Sequence, residues 1–225
     1  GQSVSPAWRP DGLQIAFAFA YGKAGPFNLF IKPVDGGGDA APLLASPWNQ
    51  FPTSWMPDAS RLAFTEFQPV TGADIWVLDV DTRTRAPLVR TLFDETWARF
   101  SPDGRWIAYM SNESGRWEIY ARGVDAGAPR IRISQNGGVW PCWSLDGRTI
   151  YFSASGQTRA VSLQVSDRLI ASAPMIVPGA DAMVLAGGGS AGDRLLVRQA
   201  AAPAAGRAEL RVVLEWFSEL TKRDG

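Results

Sequence analysis

Four carboxylates stand at matching places in this chain: Asp11, Asp58, Asp103 and Asp146, each followed by Gly or Ala. A ring of carboxylates could hold a cation or share a proton, and the Asp79/Asp81 pair could begin a calcium site. The context favours a plainer role. Asp suits the third position of a type I turn, where its carboxylate accepts hydrogen bonds from its own turn backbone. One such residue per repeat is what a structural corner requires, and copies a repeat apart are too distant to share an ion. Asp79 and Asp81 lack further oxygen ligands at calcium-loop spacing, so a hairpin end accounts for them.

Other chemistry is missing from the residue types themselves. The 225 residues contain no His, which removes Ser-His-Asp and Cys-His catalysis and His-based metal sites from this segment. The single Cys142 lies between Pro141 and Trp143 in a predicted inner strand, where a buried, inert thiol is expected. Gly187-Gly188-Gly189-Ser190 lacks the Lys of a phosphate loop and reads as a connection. The expectation is therefore no catalytic residue, no cofactor site and no metal site. Net charge is zero with no basic patch, which argues against nucleic acid. No apolar run approaches the ~20 residues of a membrane span, so no direct membrane insertion is expected of this segment.

The elements behind these residues repeat. Trp8-Arg9-Pro10-Asp11-Gly12, Trp55-Met56-Pro57-Asp58-Ala59, Phe100-Ser101-Pro102-Asp103-Gly104 and Trp143-Ser144-Leu145-Asp146-Gly147 are spaced 47, 45 and 43 residues apart. A period of ~40–45 residues is the size of a four-stranded propeller blade. After each corner the sequence alternates with period two, as in Ile15, Phe17, Phe19 and Leu62, Phe64. A second strand, an Asp-containing loop and a short outer strand follow. The predicted fold is an all-β propeller of four-stranded antiparallel blades at about 1–48, 49–94, 95–137, 138–180 and 181–217, with a polar tail at 218–225. The fifth unit is degenerate: Asp193 is offset by one, no aromatic precedes it, and 214–220 suits a helical turn after a strand. Five units, and a start at Gly1 without Met, predict a fragment of a six-bladed ring with an open side.

Trp residues divide into three groups. Trp8, Trp55 and Trp143 hold the repeat position and are expected between blades; Trp76, Trp106 and Trp117 are expected on strands between sheets. Trp48, Trp97 and Trp140 fall where connections enter the inner strands. With Asn49, Glu95 and Arg99 they form a candidate interaction face, since Trp and Arg are favoured interface anchors. Plugs between blades are the other reading of these aromatics.

The repeats resemble those of the bacterial TolB propellers, through 100–121 (FSPDGRWIAYMSNESGRWEIYA), 54–66 (SWMPDASRLAFTE) and the ending 211–217. They resemble more closely the propellers at the C-terminus of bacterial eukaryotic-like serine/threonine kinases. The departures are Ala59 for the corner Gly, Leu145 for the corner Pro and the eroded fifth repeat. The resemblance implies a non-catalytic module, extracytoplasmic or periplasmic, that binds a protein, a peptide or a cell-envelope ligand. Two alternatives carry the same repeats: the gating propeller of a prolyl-oligopeptidase-type hydrolase and a periplasmic TolB-type protein.

Overall fold

The computed structural model describes residues 2–22, 25–125, 127–166, 168–178, 183–184, 195–198 and 212–213. Every sheet is antiparallel, with strands ordered as they occur in the chain. Blade 1 is β1 (Gln2–Trp8), β2 (Gln14–Ala20), β3 (Asn28–Pro33) and β4 (Ala41–Leu44). Blade 2 is β5 (Gln50–Trp55), β6 (Arg61–Gln68), β7 (Gly72–Asp79) and β8 (Arg85–Val89). Blade 3 is β9 (Glu95–Phe100), β10 (Trp106–Ser111), β11 (Glu118–Gly123) and β12 (Arg130–Arg132). Blade 4 is β13 (Val139–Trp143), β14 (Thr149–Ala154) and β15 (Gln157–Val165), whose outer edge is shared by β16 (Leu169–Ala171) and β17 (Met175–Ile176). A further sheet joins β18 (Met183–Val184), β19 (Leu195–Arg198) and β20 (Val212–Val213). The helical turn expected at 214–220, the Gly187–Ser190 connection and the 218–225 tail lie outside the described residues.

The corners show why the Pro-Asp tetrapeptide recurs. In each, the fourth residue returns its N–H to the first residue's carbonyl: Gly12 to Arg9, Ala59 to Met56, Gly104 to Ser101 and Gly147 to Ser144, at 2.9–3.0 Å. The Asp carboxylate then accepts the N–H two residues on, from Leu13, Ser60, Arg105 and Arg148. These bonds hold the Asp58, Asp103 and Asp146 carboxyls below the ordinary range; Ser60 and Ser144 contribute most at Asp58 and Asp146, while at Asp103 the Ser101 bond works against burial. Ala59 takes the left-handed conformation of its Gly counterparts, with φ 61° against 73°, 71° and 70° for Gly12, Gly104 and Gly147.

Blades pack by a small face meeting a bulky one. Ala7, Ala16 and Leu29 of blade 1 receive Trp55, Leu62 and Phe64 of blade 2. Ala108 and Ala121 of blade 3 receive Trp143, Ile150 and Phe152 of blade 4 in the same way. Burying a side chain of this size contributes about 1.5–3 kcal/mol, so these contacts dominate the cohesion of the ring. Two of the repeat-position indoles also bond to the inner strand of the blade before them: Trp55 Nε1–H to the Ala7 carbonyl at 3.0 Å, and Trp143 Nε1–H to that of Arg99 at 2.9 Å.

Trp8 departs from the core role expected of it. It is 58% exposed, because an indole at this position lies on the preceding blade and no described sheet stands on that side. Phe17, Phe19 and Phe30 share that uncovered face, packing on one another with the Phe19 and Phe30 centroids 5.1 Å apart.

Candidate interaction face

At one end of the blades, each connection into an inner strand lies beside the hairpin joining the second and third strands. Backbone bonds tie the two together: Gln50 N–H to the Phe27 carbonyl, Phe67 N–H to that of Asn49, and Asn112 N–H to that of Asp94. Asn49 closes this link with its side chain as well, Oδ1 accepting the Phe27 N–H at 2.9 Å. Asn49 is therefore exposed yet committed to joining blades 1 and 2.

Glu95 departs further from the expected patch, because it is fully buried and cannot meet a partner. It belongs to a layer of carboxylates under this face, with Glu66, Asp74 and Glu118. The others each have a cation. Arg85 pairs with Glu66, Arg90 with Asp74 at 3.7 Å and Arg116 with Glu118 at 4.0 Å. Arg85 and Arg90 also lie against the Trp76 ring, 4.7 and 5.8 Å from its centroid. Glu95 has no cation: the Thr91 hydroxyl donates at 2.5 Å and that of Ser111 at 3.5 Å, and its Oε2 has no hydrogen-bond partner among the described residues. Burial, with Asp74 and Glu113 nearby, pushes its carboxyl up to about 7. Nothing in the sequence marks this layer, because which carboxylate meets an arginine is decided between strands far apart in the chain.

Trp97 and Trp140 lie within β9 and β13, and not on the connections where the sequence placed them. Both sit at β-bulges, with φ 56° each, a left-handed conformation rare for a bulky residue. Ser5 takes the same conformation at the bulge of β1. Trp97 remains 39% exposed, while Trp140 packs partly on the blade 3–blade 4 core. Trp48 does lie on a connection, 38% exposed.

Arg99 sits where three inner strands meet, β9 packing between β5 and β13. Its guanidinium donates to the Thr53 carbonyl of β5 and lies 5.9 Å from the Trp97 ring. Cys142 of β13 is near enough to influence its charge, and burial draws the guanidinium below its ordinary value. The Cys142 thiol is itself buried and pushed up to about 12. It donates to the Trp143 carbonyl and is inert at neutral pH.

The structure also exposes apolar side chains on this face that the sequence reading passed over. Val70, in the β6–β7 hairpin, and Leu92, in the β8–β9 connection, are 83% and 81% exposed. Phe67 and Phe93 are exposed beside them in the chain. The one available signal was apolar residues inside predicted loops, where polar ones are the norm. Elsewhere, Asp79 accepts the backbone and hydroxyl hydrogens of Thr82 and closes the β7–β8 turn. No group of three or more candidate ligands that could hold a metal occurs among the described residues.

The geometry has a recognisable counterpart. The family model for the TolB beta propeller domain matches residues 1–175. The chain belongs to the TolB β-propeller family. Its TolB-type blades are 26% identical over 146 residues to an uncharacterized protein of Agrobacterium fabrum, covering 64% of this chain and 48% of that one. They are 30% identical over 108 residues to YuxL, an uncharacterized peptidase of Bacillus subtilis, covering 45% of this chain and 16% of the peptidase. The TolB-type fold superposes on TolB from Acinetobacter baumannii with a TM-score of 0.61 at 20% identity, over 87% of this chain and 51% of that one. The chain thus spans about half the length of the first of these relatives, and less of the peptidase. No helix among the described residues is long and apolar enough to cross a membrane.

Proposed function

We propose that this TolB-type propeller is a non-catalytic interaction module that binds a protein or peptide on the face bearing Trp48, Val70, Leu92 and Trp97. The observation that carries the reading is the apolar exposure there: Val70 and Leu92 stand almost free of the fold that holds them. Exposed apolar patches on a rigid scaffold mark interaction surfaces. Selection of a displayed peptide library on the purified protein tests it. Peptides recovered on the wild type should lose at least tenfold in affinity with Leu92→Ser or Trp97→Ala, with circular dichroism unchanged. Binding indifferent to both substitutions would end the reading.

In its fuller form the proposal makes the propeller the extracytoplasmic sensing part of a bacterial serine/threonine kinase, as the repeats' resemblance implies. Phosphotransfer by the whole gene product, altered by the selected peptide, would support that form, and its absence would remove it. A second reading is the gating propeller of a serine peptidase, favoured by the likeness to YuxL. It requires a nucleophilic Ser and a His outside these residues, because this segment has no His. Turnover of chromogenic peptides by the whole gene product, and none by this segment, separates it from the first.

A further inference from the structure

We infer that Arg99, lying against the Trp97 ring, receives a carboxylate presented by an extended peptide. The inference rests on the interaction reading above and names the group that β9, the inner strand leading away from that face, would take.

Two other half-buried arginines, Arg85 and Arg122, have fuller sets of acceptors. Arg85 meets the Glu66 carboxylate, and Arg122 donates to the carbonyls of Leu88, Gly123 and Asp125. Arg99 is held by one acceptor, the Thr53 carbonyl, and no carboxylate lies within ion-pair distance among the described residues. A guanidinium has five N–H donors and stays charged in proteins, so most of these donors have no acceptor among the described residues. The neighbouring Cys142 thiol, raised to about 12, is uncharged at neutral pH and does not neutralise it. A partly desolvated cation with no counter-charge is unfavourable, and an incoming carboxylate would relieve it through two parallel N–H···O bonds.

The surroundings favour a peptide as the bearer. Trp97 and Trp140 occupy left-handed bulge positions two residues before Arg99 and Cys142, on adjacent inner strands. Strained backbone of this kind concentrates at binding sites, where it re-aims a side chain. At Trp97 it sets the ring 5.9 Å from the cation. A chain end or an acidic residue with an apolar neighbour matches that charge and the Trp97 ring.

Three N-acetylated tetrapeptides test the inference: Ala-Ala-Tyr-Phe with a free carboxyl, the same peptide amidated, and amidated Ala-Glu-Tyr-Phe. Binding is read by calorimetry and by the Trp97 indole N–H resonance, assigned with Trp97→Phe. At least one acidic peptide should bind tenfold or more tighter than the neutral amide, and Arg99→Gln should abolish that difference. Arg99→Lys, which keeps the charge and a donor for Thr53, should retain part of it and guards against a misfolded Gln variant. Preference for the free acid assigns a chain terminus, and preference for the Glu peptide assigns a side chain. Equal binding of all three, no binding of any, or a preference that persists in Arg99→Gln overturns the inference. If the neutral amide binds and Trp97→Ala abolishes it, the interaction face stands without the carboxylate.

Discussion

Trp143 donates its indole N–H to the carbonyl of Arg99 at 2.9 Å, so the residue offered to a ligand is held from behind by the next blade. Trp55 makes the same bond to Ala7 one interface earlier. Replacing Trp143 by Phe keeps most of the ring but leaves a carbonyl without its donor, at a cost of about 1–3 kcal/mol. The denaturant midpoint should fall accordingly. Trp8→Phe should leave it unchanged, because that indole is mostly in solvent.

Ala59 offers a gain. Its φ of 61° places a Cβ where the left-handed backbone disfavours one, while three counterpart corners use Gly. Ala59→Gly should raise stability by about 1 kcal/mol, seen as an increase of a few degrees in Tm. A decrease would mean that unfolded-chain entropy outweighs the relief of strain.

Glu95 predicts a pH dependence. Its carboxyl is raised from 4.5 to about 7 in the fold, so between these values the folded state holds a proton that the unfolded state has released. Stability from this group is therefore full below about 4.5 and is lost as pH rises through 7. A shift of this size corresponds to a loss on the order of 3 kcal/mol. Glu95→Gln should flatten that part of the profile and be more stable than wild type at pH 8. Parallel urea titrations of the two proteins from pH 4.5 to 8 measure the difference, and coincident curves would refute it.

What could be read in advance depended on whether the governing physics was local. Pro, Asp and Gly act through their own φ preferences, so four corners, their order and the blade period were visible without tertiary information. Trp8 was misjudged because the burial of that indole depends on a neighbouring sheet and not on the repeat itself. Trp97 and Trp140 were displaced from connection to strand because a bulge adds one residue without disturbing the alternation on either side. Glu95 looked like a surface acid beside Thr96 and Trp97, yet its surroundings come from Thr91 and Ser111 across a turn and a strand pair. Arg99 belongs to the face expected from sequence, but its missing counter-charge could be seen only with three inner strands in place.

The side-chain stitches between blades all reach an immediate neighbour: Arg83 to Pro42, Trp55 to Ala7, Arg122 to Leu88, Trp143 to Arg99 and Arg105 to Ser166. None skips a blade. A pulling force applied along the chain would thus meet resistance one wedge at a time, each giving way as a separate step while those further in keep their shape.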